Sequence, residues 1–319
     1  MAKKNGSSIE WVGGVLSMPA YVMDEDVPYR PTMVIWMNAD GFVLGLTPTK
    51  PNESLPVVAS DSLQTAIKDH HAPARIRISS NEVAEALRIS HPQLEIIIAP
   101  TPELDEVFEH MSDELGQGER AMSYLSSGIE PDAIASFFTS ATKLYEAEPW
   151  KIVPSDQSLF FVTIEQLNIR DAVLSVIGQM EQNFGIVLFS NIDDFHSYLE
   201  AGYMMEHDEV PESIAPHLSL NFDKGADIDT ELRKEIATYR WEVSDSKAYP
   251  YLLFVDKDLL SRPLTIKEYT IIEAIALALS EILLEKEALH AAWEGRSSVC
   301  QTFTVPTYQG NIEVNLRVT

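Results

Sequence analysis

Apolar and polar residues recur along the first third of the chain in short runs, and the periods of these runs predict strands and helices in a regular order. An irregular lead-in of about thirty residues, with one strand at 14–22, comes first. Three strands are expected next, followed by helices that alternate with two further strands. The predicted strands are 32–38, 42–47, 55–59, 75–79 and 94–99. The predicted helices are 62–69, 81–90 and 101–111.

The second half of the chain predicts the same order of elements, although its residues show no identity with those of the first half. The predicted strands are 158–164, 172–178, 184–190, 217–223 and 249–256. The predicted helices are 192–202, 230–239 and 265–293, with Asp229 and Thr265 as N-terminal caps of the last two. Residues 299–319 predict a hairpin that turns near Gln309, Gly310 and Asn311, and we expect this hairpin to extend or cover a sheet edge.

Three meandering strands followed by alternating helices and strands form the ribonuclease H-like topology. We therefore predict a mixed α/β fold of two β-β-β-α-β-α-β-α units with mixed sheets. The expected domains are an N-terminal unit over 1–117, linker helices over 118–150, and a C-terminal unit with its terminal hairpin over 151–319.

Four stretches of sequence carry a resemblance to known proteins. They are "PARIRISSNEVAEAL", "IIIAPTPELDEVFEHM", "LYEAEPWKIVPSDQSLFFVTI" and "VLSVIGQMEQNFGIVLFSNIDDFHSYL". Together they resemble a group of uncharacterised bacterial proteins that carry only domain-of-unknown-function labels. The resemblance covers roughly residues 30–290 and implies a bacterial origin and a cytoplasmic location. It implies no activity.

The charge balance is strongly acidic, with 49 acidic against 23 basic side chains and a net charge of −26. Acidic residues outnumber basic ones in both halves. Because nucleic acids and anionic membranes are bound by clustered lysine and arginine, neither is an expected partner. No apolar segment suits a signal peptide or a membrane span, so we expect a soluble cytoplasmic protein.

Cysteine and histidine offer little support for metal or nucleophilic chemistry. The single cysteine, Cys300, lies in a predicted strand and is interpreted as a buried, inert thiol rather than a nucleophile. His70, His71 and His196 fit helix ends or flanks, and the histidines show no metal-ligand spacing. No phosphate-binding glycine loop or nucleophile motif is present, so we predict no cofactor.

Carboxylates are the remaining catalytic candidates, because a ribonuclease H-like enzyme holds two divalent ions with acids on the first strand, at the end of the fourth strand and on a later helix. Asp40 follows strand 32–38, Asp105 lies in the helix start "TPELDE", and Asp223 ends strand 217–223. Neither unit assembles the full set. The Asp40-Gly41 pair is therefore interpreted as a hairpin turn.

We expect a non-catalytic protein-binding or scaffolding protein, with a basic protein as its partner. The long helix 265–293 is apolar around most of its surface, which suggests a weak homodimer. The alternative is a small-molecule-binding protein or a metal-dependent hydrolase or nuclease. It would use the crevice between the units or an incomplete cluster of Asp40, Asp105 and Asp223.

Overall fold

A computed structural model describes residues 10–18, 20–24, 27–105, 107, 123–180, 183–207, 211, 213–258 and 260–318. The chain divides near residue 120 into two compact units, each built around its own sheet. The mixed α/β class predicted from the sequence is confirmed. None of the helices in these ranges combines the length and the apolar composition needed to cross a bilayer.

The first unit contains a five-stranded mixed sheet with the strand order β5-β4-β1-β6-β7. The central strand β1 pairs antiparallel with β4 and parallel with β6, and β6 pairs parallel with β7. These strands are β1 (Glu10–Ser17), β4 (Thr32–Asn38), β5 (Val43–Pro48), β6 (Arg75–Ile78) and β7 (Glu95–Ile98). Two short strands, β2 (Val22–Asp24) and β3 (Val27–Tyr29), form a separate pair. The five-stranded arrangement has the ribonuclease H-like order.

Two details of the first unit correct the sequence prediction. The first strand of the sheet is β1, which the sequence analysis had placed in an irregular lead-in with a strand at 14–22. Glycine is a poor strand former, so the Gly13-Gly14 pair weakened the strand pattern. The strand expected at 55–59 is instead the start of helix α1 (Leu55–Asp69), whose first turn contains Pro56.

Helices α1 and α2 (Asn81–Ser90) cover one face of the five-stranded sheet. Trp36 is fully buried there, and its indole nitrogen donates a hydrogen bond to Ser62 on α1 at 3.0 Å. On the opposite face, Leu104 packs against Val12 and other apolar side chains of the sheet. The helix expected from residue 101 is present over 102–105, and its later residues Phe108 and Met111 lie outside the described ranges.

The second unit contains a seven-stranded sheet with the order β12-β11-β10-β9-β8-β14-β13. Every pair of neighbouring strands is antiparallel. The strands are β8 (Phe160–Ile164), β9 (Ile169–Ile177), β10 (Phe184–Phe189), β11 (His217–Asp223), β12 (Tyr249–Val255), β13 (Val299–Thr307) and β14 (Gly310–Val318). The predicted element order is therefore present. The pairing differs from the ribonuclease H-like one, because β11 joins β10 rather than lying parallel to β8.

The α-helices of the second unit within the described ranges are α3 (Pro131–Glu146), α4 (Ile192–Glu206), α5 (Thr230–Tyr239), α6 (Ile266–Ile282) and α7 (Lys286–Trp293). Asp229 and Thr265 cap α5 and α6 as predicted. Over its described part, the predicted linker 118–150 contains α3, which packs within the second unit. Phe137 and Phe138 on α3 are fully buried in that unit's core.

Helix α6 lies in the middle of the second unit and packs against α3, β13 and β14. Most apolar side chains of α6 are buried within the unit, among them Ile272, Ile275 and Ala276. The carboxylate of the buried Glu273 accepts a hydrogen bond from the Ser136 hydroxyl on α3. Its two oxygens also accept from the backbone N–H of Tyr308, in the β13–β14 turn, at 3.1 and 3.2 Å. Burial raises the pKa of this carboxyl. Because the unit itself covers the apolar surface of α6, a homodimer through this helix loses its motivation.

Candidate functional site

Charged side chains lie on one face of the two central parallel strands of the first unit, β1 and β6. Glu10 is opposite Arg75, and Val12 is opposite Arg77. Trp11 points to the face covered by α1 and α2, so the alternation of a strand places Glu10 and Val12 on the other face. These are the first and fourth strands of the ribonuclease H-like order, where a metal-dependent enzyme of this fold carries carboxylates.

Arg77 connects three segments of the first unit at this face. Its Nη1 atom donates to the carbonyl oxygen of Pro100 at 2.6 Å and to Glu103 Oε2 at 3.1 Å, while Nη2 donates to the other oxygen of Glu103. Its Nε atom donates to Glu10 Oε1 at 3.3 Å. The second oxygen of Glu10 is 3.5 Å from Arg75 Nε. We call Glu10, Arg75, Arg77 and Glu103 the charged cluster.

The contact between Arg77 and Glu103 favours the ionised state of both side chains. The hydrogen bond from Arg77 lowers the pKa of Glu103 below its ordinary value. The same bond is the largest cause of a raised pKa for the Arg77 guanidinium. Both carboxylates therefore already face cationic groups, and a divalent ion would have to compete with a guanidinium group for their oxygens.

At the centre of β1, an added side chain would overlap its present neighbours. A Cβ atom at Gly13 would lie 2.2 Å from the Trp36 ring, and one at Gly14 would lie 2.0 Å from a methyl carbon of Leu104. These side chains occupy the two faces of the strand directly at its midpoint. At its midpoint β1 therefore carries glycines under bulky neighbours, and its carboxylate, Glu10, lies at its first position.

Asp40 lies in the turn between β4 and β5. The Asn38 side chain accepts hydrogen bonds from the N–H groups of Asp40 and Phe42, at 3.0 and 2.9 Å. Gly41 has a φ of +85°, which a residue without a Cβ adopts at low cost. The geometry is that of the predicted turn, although β4 is the second strand of the sheet and not the first.

Asp105 and Asp223 occupy separate parts of the molecule. Asp105 is an exposed residue of the helical turn that begins at Pro102 in the first unit. Asp223 ends β11 in the second unit, where burial, and then the charge of Asp227, raise the pKa of its carboxyl. Within the described ranges, no three His, Cys, Asp or Glu side chains are grouped to hold a metal ion.

The second unit has a polar sheet face, which we define as Thr163, Asp171, Thr302, Asn315 and Arg317. Arg317 donates to Asp171 Oδ1 at 3.1 Å, and Asn315 donates to the Thr302 hydroxyl at 3.0 Å. The guanidinium of Arg317 also lies over the ring of Phe161, 4.5 Å from its centre. Polar and apolar residues alternate along β13 and β14, and this alternation could have predicted the polar sheet face from the sequence.

Cys300 is also on this side of the sheet and is exposed, so the prediction of a buried thiol was wrong. The strand predicted around Cys300 is confirmed. However, β13 is an edge strand, and Cys300 is one of its residues that point away from the core. The amide of Asn315 donates to its sulfur at 3.5 Å.

A recess of about 370 Å³ lies beside the start of β9 and is lined by Asn168, Ile169, Arg170, Ala172 and Ser190. Its charged lining residue, Arg170, is held by Glu165 through hydrogen bonds of 3.0 and 2.8 Å. The recess therefore supplies mainly small and uncharged groups for orienting a ligand.

Comparison with known families gives two matches. The model of the domain of unknown function DUF6930 matches residues 1–112, and that of the domain of unknown function DUF7309 matches residues 135–297. No curated protein matches the chain.

Among solved structures, similar chains come from retroviral integrases. The magnesium complex of the HTLV-2 integrase catalytic core domain is 12% identical, with 38% of this chain and 80% of that chain covered and a TM-score of 0.25. A chain of the simian T-cell lymphotropic virus intasome in complex with the PP2A regulatory subunit B56 gamma is also 12% identical. It covers 56% of this chain and 74% of its own, with a TM-score of 0.24. Structural similarities with TM-scores this low give no information about function.

Proposed function

The chain belongs to the DUF7309 family, whose description assigns no activity, and we propose from its geometry that it is a non-catalytic protein-binding protein. In this proposal the ribonuclease H-like sheet of the first unit serves as a scaffold. The protein holds or assembles a partner and does not cleave a substrate.

The observation that carries the proposal is the charged cluster on β1 and β6. Arg77 lies near the end of the fourth strand, where a metal-dependent enzyme of this fold would need an acid, and it engages both oxygens of Glu103 and one oxygen of Glu10. The packing of Trp36 and Leu104 against the glycines of β1 acts in the same direction, because a carboxylate side chain at Gly13 or Gly14 would require these neighbours to move. Two-metal chemistry needs carboxylate oxygens that are available to the ions.

The net charge of −26 supports a basic partner. Complementary charge accelerates the encounter of two proteins and disfavours partners of the same sign. A contact of this kind weakens as salt screens it, with a screening length of about 10 Å at 0.1 M salt.

Cleavage assays test the non-catalytic part of the proposal. The full chain is incubated with single- and double-stranded DNA and RNA in the presence of Mg²⁺ or Mn²⁺. The matched control is the Glu10→Gln/Glu103→Gln double variant, which lacks both carboxylates of the charged cluster. We expect no cleavage by the wild type above the level of the variant. Metal-dependent cleavage that the double variant loses would contradict the proposal.

Capture experiments at low and high salt test the binding part. We expect a basic protein to be retained at low salt and released as the salt concentration rises. The competing function is small-molecule binding, for which the recess beside β9 is the observed space. A chain that retains no protein, but carries a co-purified small molecule detected by mass spectrometry, would favour that function instead.

A further inference from the structure

The strand β13 is a long, regular edge of the seven-stranded sheet. It pairs with β14 over nine consecutive positions, from Val299 opposite Val318 to Thr307 opposite Gly310. It is the last strand in the sheet order, and no strand of the described residues pairs with its outer side. Natural edge strands are usually blunted by charges, bulges or prolines. In β13 only Pro306, at its end, does this, and the strand contains no charged residue.

The backbone groups that face outward follow from the hairpin turn. Thr307 and Gly310 close a two-residue turn, and in such a turn the closing pair is hydrogen-bonded. Thr307 therefore directs its backbone groups toward β14. Because the direction alternates along a strand, the N–H and C=O groups of Cys300, Thr302 and Thr304 point to the open side. The side chains of these three residues are exposed as well.

We propose that this edge binds the same edge of a second copy of the chain, antiparallel and with the two-fold axis at Thr302. Thr302 then faces Thr302 of the second copy, and Cys300 faces Thr304 of the second copy. All three outward-facing residues of each copy pair with outward-facing residues of the other. Since a hydrogen-bonded antiparallel pair exchanges two bonds, three such pairs form across the axis. The two seven-stranded sheets become one continuous sheet.

Charge on the neighbouring strand favours this register and this occupant. Cys300 lies beside Arg317 of β14, and Thr304 lies beside Glu313. In the proposed register, Cys300 of one copy is opposite Thr304 of the other. Arg317 of the first copy and Glu313 of the second therefore lie in one row that runs across both edge strands. A register centred on Cys300 would align Arg317 with Arg317, and one centred on Thr304 would align Glu313 with Glu313. The edge is thus complementary to itself in hydrogen bonding, and the charges one strand behind it are of opposite sign in this register.

The strength of the contact follows from its size and from the charge of the molecule. One pair of strands buries less surface than a stable interface, so the dimer is weak and depends on concentration. Two copies with a net charge of −26 repel each other, whereas the contact itself is uncharged. Salt should therefore strengthen the dimer, because it screens the repulsion. Binding of the proposed basic partner should instead weaken as salt is added. An experiment that contradicts one of the two proposals therefore leaves the other standing.

Disulfide trapping tests the register. In the Cys300→Ser background, the Thr302→Cys variant places two thiols at the axis, where Cα atoms of a hydrogen-bonded pair are about 5.5 Å apart and within disulfide range. The Thr304→Cys variant with Cys300 retained should also cross-link. The control is Glu313→Cys in the Cys300→Ser background, an exposed position one strand away from the edge. We expect the two edge variants to form covalent dimers at least roughly tenfold faster than the control, because pairing raises the local thiol concentration.

Light scattering of the full chain completes the test. The mass should rise from 35.7 kDa toward twice that value as protein or salt concentration increases. The Thr302→Pro variant should stay monomeric with an unchanged circular dichroism spectrum, since an edge strand tolerates a proline whose missing N–H faces outward. A dimer that persists in Thr302→Pro, or cross-linking no faster than in the control, would overturn the proposal. So would a monomer whose Thr302→Cys thiol is trapped by a strand of a different protein.

Discussion

Arg77 is the residue on which the interpretation of the first unit depends. Its guanidinium donates to four oxygens contributed by β1, by the segment after β7 and by the helical turn at 102–105. The planar, always charged guanidinium suits this geometry, and lysine would not reproduce its paired contact with Glu103. The same side chain ties three segments together and neutralises the acids nearby.

Replacing Arg77 with methionine should lower the free energy of unfolding by about 1–3 kcal/mol, because its hydrogen bonds to charged groups are lost and Glu103 is left without its cation. Urea denaturation followed by circular dichroism measures this change. The matched control is Arg170→Met, which removes an arginine whose side chain is 75% exposed in its pair with Glu165. That change should have a much smaller effect, because exposed ion pairs contribute little to stability. Equal effects of the two variants would contradict the prediction.

The pKa of Glu103 predicts a dependence on pH. Its pKa is lower in the folded protein than its ordinary value of 4.5, chiefly because of the hydrogen bond from Arg77. A carboxyl group of this kind stabilises the fold above its unfolded-state pKa, and the contribution is lost as the pH falls through the folded-state pKa. The difference in stability between wild type and Glu103→Gln should be constant at neutral pH and shrink below about pH 4.5. A difference that stays constant down to pH 3 would show that the charge is not involved.

At the level of elements, β1 is both the centre of the first sheet and the strand with least side-chain volume at its midpoint. Gly13→Ala should destabilise the protein by about 1–3 kcal/mol, because the added methyl group overlaps the Trp36 ring. Gly45→Ala on β5 is the matched control, since its Cβ would meet Trp36 and Ala66 at ordinary contact distances of 3.4 and 3.5 Å. Thermal unfolding of the two variants measures this difference in stability. A neutral Gly13→Ala would show that Trp36 yields easily and that β1 could accept a side chain.

Local sequence signals predicted many elements and failed where distant contacts decide. Asp229 and Thr265 were found as caps because a cap is a property of a few neighbouring residues. The strand β1 was missed because its glycines are explained only by Trp36 and Leu104, which are far away in sequence. Arg77 was missed as a site residue for the same reason, since Glu10 and Glu103 approach it only in the folded sheet. Element order in the second unit was right, but it does not determine that β11 pairs with β10.

At the level of the whole molecule, the second unit has its own large core. Helices α3 and α6 pack against each other, and the side chains of both lie in one cluster with those of the seven-stranded sheet. A unit with a complete core of this kind can fold alone. A fragment of residues 120–319 should therefore unfold cooperatively in calorimetry. A fragment that begins at residue 151, and so lacks α3, should lose this cooperativity, because Phe137 and Phe138 are then missing from the core. A cooperative transition in the shorter fragment would instead support the sequence prediction that residues 118–150 form a linker.

The central claim is that the charged cluster of the first unit does not serve as a metal site. The most direct test is a titration of the full chain with Mn²⁺ at 0.2 M salt, in which the electron paramagnetic resonance signal of free Mn²⁺ is recorded. The same titration is run on the Glu10→Gln/Glu103→Gln variant, so that weak binding by the acidic surface appears equally in both. We predict identical curves, because Arg77 and Arg75 occupy the carboxylate oxygens. A loss of free Mn²⁺ that occurs with the wild type and not with the variant would contradict the account.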